Sequence, residues 1–94
     1  MVRVSIRPYG MYSGEGRANA MQVELGNITL WFSYRTVVAF STPETGRVVR
    51  DNDWKGTTGK HLNWIDGGDK ESRLSGDAFL KKLSEALGKY QLEV

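Results

Sequence analysis

Residues 52–68, NDWKGTTGKHLNWIDGG, concentrate the side chains able to do chemistry. They hold two of the three tryptophans, Trp54 and Trp64, the only histidine, His61, and the cations Lys55 and Lys60. Thr57, Thr58 and Asn63 add short polar groups suited to bonding nearby backbone. Aromatic, cationic and Gly-rich residues without a clean period of two or 3.6 predict a surface loop held ready for contact. These eight side chains are the candidate binding site.

Specific chemistries fit less well. Gly56-Thr-Thr-Gly59-Lys60 invites a phosphate-loop reading, but a Walker loop needs four residues between its glycines and a Ser or Thr after the lysine; here there are two, and His61 follows. Asp51-Asn-Asp53 opens like a calcium loop with Gly56 at its sixth place. Lys55 then occupies a ligand position, and Leu62 stands where the bidentate Glu belongs. One histidine and no cysteine cannot assemble a zinc site of the usual kind. The expectation is no metal, no cofactor and no catalytic residue. A weaker alternative makes His61 a general base, oriented by Asp51, Asp53 or Asp66, in a hydrolase. Each tryptophan of the segment reads first as a cap on the core edge, and otherwise as an exposed anchor beside the cations.

Charge says little about partners by its total of +2, and more by its distribution. Residues 1–50 carry six Arg against three Glu, while residues 51–77 carry four basic against six acidic side chains. A dedicated nucleic-acid binder more often shows a one-sided basic surplus. A nucleic-acid alternative would use Arg35, Arg47, Arg50, Lys55 and Lys60 on phosphates, with tryptophan stacking on bases.

These residues need a scaffold, and 94 residues imply one domain. Val2, Val4 and Ile6 alternate with polar neighbours and predict a strand that Pro8 stops. Tyr9–Asn19 reads as a loose connection or a flap. Met21–Leu25 predicts a second strand, Gly26-Asn27 a tight turn, and Ile28–Ser33 a third strand. Val37–Phe40 is a continuous apolar run, as expected of a strand covered on both faces. Pro43–Gly46 is a turn signal and Arg47–Arg50 a return strand. Consecutive strands with short links predict an antiparallel meander.

The firmest helix spans about residues 76–87, with Ser75 as N-cap, Leu74 stapled onto Phe79, and Gly88 in the left-handed position that ends it. Its apolar stripe is Phe79, Leu80, Leu83 and Leu87. Tyr90, Leu92 and Val94 alternate, so a short last strand could follow. No apolar run approaches the roughly 20 residues that span a bilayer, and the N-terminus is no signal peptide. A cytoplasmic protein is expected.

The run Trp31-Phe-Ser-Tyr-Arg-Thr-Val-Val-Ala-Phe40, with Arg47–Trp54 and then Thr57-Thr-Gly-Lys-His-Leu-Asn63, resembles a pattern of small uncharacterised proteins encoded by phages, plasmids and other mobile elements. The resemblance covers residues 28–80. It implies a genomic setting, no established activity, and a TTGKHLN segment shared by the fold. The combined expectation is an α+β domain, an antiparallel sheet of four to six strands packed on one C-terminal helix, with the 52–68 loop across one end. Its function is non-enzymatic binding to a host protein in the host cell. The alternatives are a nucleic-acid-binding accessory protein and the His61 hydrolase.

Overall fold

The computed structural model describes residues 4–10, 19–53 and 57–89. Five strands, β1 (Val4–Pro8), β2 (Ala20–Leu25), β3 (Ile28–Ser33), β4 (Thr36–Thr42) and β5 (Gly46–Val49), form an antiparallel meander in chain order. Two helices follow, α1 (Thr57–Asp66) and α2 (Gly76–Lys89), with a short 3-10 turn at Lys70–Ser72 between them. The α+β class, the meander and the C-terminal helix are as expected. Among the described residues, no helix is long and apolar enough to cross a membrane.

Alternation along the strands sorts the sheet into two faces. One carries Ile28, Leu30 and Phe40, closed over by Phe79, Leu83 and Ala86 of α2. The other carries Ala20, Val38, Ala39 and Val49, closed over by Leu62 and Ile65 of α1 together with Tyr9. The central strand β4 is covered on both sides, and Val38, Ala39 and Phe40 are fully buried. A β-bulge makes this work: Phe32 pairs with Val37 and Trp31 with Ala39, so Val38 is an extra residue in β4. The extra residue breaks strict alternation and lets Val38 join Ala39 in the cluster under α1.

Three expectations are corrected here. The 52–68 segment is not a loop, because ten of its residues form α1. Its buried positions, Thr58, His61, Leu62 and Ile65, recur at helical spacing. Half of that stripe is polar, so the period is invisible to a hydrophobicity reading. Glycine, threonine and asparagine are poor helix formers, so packing on the sheet stabilises α1 more than propensity does.

β1 ends at Pro8 as expected, with one further bond just beyond it. Tyr9 N–H donates to the Ala20 carbonyl at 3.0 Å, and alternation then turns the missing Pro8 N–H away from β2, where an edge strand tolerates it. Leu80 is 52% exposed, and Ala86 instead completes the buried stripe with Phe79 and Leu83. Gly88 does not end α2, which continues to Lys89, where the ammonium pairs with Glu44 of the β4–β5 turn.

Ser75 does cap α2, its hydroxyl accepting from Ala78 N–H at 3.3 Å, and Leu74 packs on the cluster that holds Phe79. The flap residues 11–18 and the final strand over Tyr90, Leu92 and Val94 lie outside the described residues.

Candidate functional site

The β3–β4 hairpin turns through only two residues, Tyr34 and Arg35, since Ser33 pairs with Thr36. Tyr34 has φ +56, the left-handed region where glycine, asparagine or aspartate is normal and a bulky side chain is strained. Its N–H is held by the Asn19 carbonyl at 2.7 Å. The turn places Ser33 at the end of β3, facing the first turn of α1.

There Ser33 Oγ stands 2.7 Å from His61 Nδ1 and 3.0 Å from Thr58 Oγ1. All three residues are buried, His61 completely. Because Ser33 comes from β3 and the other two from α1, this polar cluster pins the helix to the sheet. A buried cluster stabilises when its groups bond one another, and here the two hydroxyls and His61 Nδ1 do so. His61 Nδ1 therefore bonds a side chain on the sheet. Asp66 is occupied by Arg73 and Asp53 by Arg50, so those carboxylates are committed elsewhere.

An aromatic chain runs outward from this cluster. Tyr34 lies 6.0 Å from the His61 ring, Tyr9 lies 5.9 Å from it edge-on, and Trp64 stacks at a tilt on Tyr9 at 5.2 Å. The inner members are buried, with the Tyr9 hydroxyl donating to the Phe32 carbonyl at 2.8 Å. The outer members, Tyr34 and Trp64, are each 52% exposed. Trp64 is thus an exposed aromatic and not a core-edge cap. Lys60 precedes it by one helical turn and is also exposed, as are Asn63 and Arg35.

The other flank of α1 is locked by charge. Arg73 donates from Nε and Nη2 to the two Asp66 carboxylate oxygens at 2.6 and 2.9 Å, and from Nη2 to Asn63 Oδ1 at 3.1 Å. Burial pushes the Asp66 carboxyl up. The Arg73 bonds, the Gly68 N–H and the charges of Arg73 and Arg47 outweigh it and hold the group below the usual carboxylate range. The bond to Asp66 raises the Arg73 guanidinium in turn, against desolvation.

Those of the expected nucleic-acid cations that are described lie in different settings. Arg50 is buried, bonds Asp53 at 2.9 Å and lies 5.7 Å above the Phe79 ring. It is a structural residue. Arg47 lies on the edge strand β5, in a hollow it shares with Asp66 and Asp69. Arg35, Arg47 and Lys60 are the exposed members among the described residues. Trp54 and Lys55 lie outside the described residues, and Thr57 is the first residue of α1. No group of three or more His, Cys, Asp or Glu able to hold a metal ion occurs among the described residues.

Ser33, Tyr34, Tyr9 and Arg73 escaped the sequence reading as site residues. Ser33 and Tyr34 had one signal: alternation ends at Ser33 and resumes at Thr36, which marks a two-residue turn. A family model, described as a family of unknown function (DUF8033), matches residues 5–81. The chain belongs to this family. No curated protein and no solved structure matches it. The match spans the sheet, α1 and the first turns of α2, so the hairpin, the buried cluster and the aromatic chain all fall within the DUF8033 region.

Proposed function

We propose that this is a protein of a phage or other mobile element that works by contact, using the outer side of α1 and the β3–β4 hairpin as a recognition surface for a host protein. The observation that carries the reading is the pair of half-exposed aromatics, Tyr34 and Trp64, joined through Tyr9 and buried His61. Exposed aromatic rings held from beneath lose little freedom on binding, which is what makes aromatic side chains effective anchors. Lys60 and Arg35 supply charge beside them, and Asn63 a polar rim. The setting in a mobile element rests on the resemblance of the WFSY and TTGKHLN segments to proteins of that origin.

Protein is favoured over nucleic acid as the partner because Arg50 is buried against Asp53 and Arg47 sits with Asp66 and Asp69. Among the described residues that leaves too few assembled cations for strong phosphate binding. The test is capture from a prokaryotic lysate by the wild type, by a Tyr34→Ala/Trp64→Ala variant and by Leu80→Ala, an exposed apolar control on α2. A partner retained by the wild type and the control but lost by the double variant supports the reading. Equal retention by all three overturns it, as does nucleic acid recovered in place of protein.

A further inference from the structure

We propose that Ser33 is a nucleophile activated by His61, and that the cavity beside it accepts small activated esters. This inference does not rest on the contact surface. Nucleophilic catalysis by serine requires a base within hydrogen-bond reach of the hydroxyl, and His61 Nδ1 stands 2.7 Å from Ser33 Oγ. In the tautomer whose Nδ1 is unprotonated, the Ser33 hydroxyl donates to the ring. The proton is then already directed at the group that must take it.

Three further features set this pair apart from an ordinary buried hydrogen bond. Ser33 also lines a cavity of about 210 Å³, formed with Tyr34, Thr36, Val38 and Thr58. A cavity of about 150 Å³ can hold benzene, so this one has room for a short acyl ester. Its walls are chemically divided. Val38 can seat an alkyl group, and Thr36 and Thr58 add hydroxyl-bearing residues to the lining. The residue after Ser33 is strained, with Tyr34 at φ +56, and such backbone outliers cluster at functional sites. Finally, the two segments that supply the pair, the end of β3 and the first turns of α1, are far apart in sequence and are brought to one cavity by the fold.

The reaction needs only water besides the ester. Ser33 Oγ bonds to the acyl carbon as its proton passes to His61 Nδ1. Collapse of the tetrahedral adduct breaks the carbon–oxygen bond to the leaving group, which takes the proton from His61. Water then attacks the acyl–Ser33 ester, giving a proton to His61 and releasing the carboxylic acid. The proton returns to Ser33 Oγ and the hydroxyl is restored.

The deciding measurement uses the wild-type protein, because Ser33→Ala alters a buried residue and could unfold the chain. Incubation with a fluorophosphonate probe at mildly alkaline pH, followed by peptide mapping, should place one adduct on Ser33. p-Nitrophenyl acetate should be hydrolysed faster than in buffer alone. Ser33→Ala and His61→Gln should lower that rate by about a hundredfold or more. Folded wild type that carries no adduct on Ser33, or adducts on tyrosines alone, overturns the proposal. So does esterase activity unchanged in a folded Ser33→Ala.

Discussion

Arg73 grips Asp66 through two parallel bonds of 2.6 and 2.9 Å, with both side chains more than nine-tenths buried. The pair joins the last residue of α1 to the segment entering α2. That segment is itself tied to the sheet, since Leu74 N–H donates to the Val49 carbonyl at 2.9 Å and Asp51 N–H to the Leu74 carbonyl. One ion pair therefore couples the helix on one face of the sheet to the approach of the helix on the other. A fork of this kind fixes direction as well as distance.

Breaking the pair by Asp66→Asn leaves a buried guanidinium without its counter-charge and should cost about 3–5 kcal/mol, the usual penalty for stranding one partner. Acid should act on the same group. Its folded pKa is depressed, so its contribution is complete above the unfolded value of about 3.9 and fades as pH falls through the lower folded value. Denaturant midpoints of the wild type should therefore drop below about pH 4, with a shallower drop in Asp66→Asn. Parallel profiles for the two proteins would refute this.

Leu83 lies in the buried stripe of α2, so Leu83→Ala should destabilise by about 2–5 kcal/mol. Lys82→Ala and Leu80→Ala, on exposed positions of the same helix, should each change stability by less than about 0.5 kcal/mol. Urea denaturation of the three variants checks the assignment, and equal midpoints would reject it.

Tyr34 holds a left-handed conformation that asparagine adopts readily. Tyr34→Asn should raise stability by about 1 kcal/mol by releasing backbone strain, while weakening partner capture. Thermal melts beside the lysate assay would separate the two effects. A variant that is less stable would show that the tyrosine ring contributes more through His61 than its backbone costs.

Helix α1 should exchange slowly despite its composition. The amides of Leu62 and Ile65, on fully or nearly buried residues, should show protection close to that of β4, since both elements share one core cluster. Amides there exchanging at random-coil rates would refute the packing of α1.

Binding to mixed-sequence single- and double-stranded DNA should be weak and lost steeply with salt, given how few cations are assembled. Submicromolar gel shifts would instead favour the nucleic-acid alternative.

Much of the scaffold was legible in the sequence because its signals are local. Alternation in β2 and β3, Gly26 at a turn with φ +59, and the Ser75 cap of α2 each depend on a few neighbouring residues. So does the apolar run of β4, read correctly as covered on both faces. The concentration of Trp64, Lys60 and His61 drew attention to the segment that folds as α1. It did not disclose a helix, because Thr58 and His61 occupy half of its buried stripe and hydrophobicity alone cannot recognise polar groups as core.

What the sequence determined was the order of the strands and α2 and the location of chemistry-bearing residues, both set by local backbone preference and spacing. The tertiary structure decided which of those residues meet. Ser33 and His61 are 28 positions apart and come within 2.7 Å because β3 ends under the first turns of α1. The same packing buries Arg50 on Phe79 and leaves Trp64 exposed beside Tyr9. Burial and pairing depend on what lies across the sheet, and no local pattern carries that information.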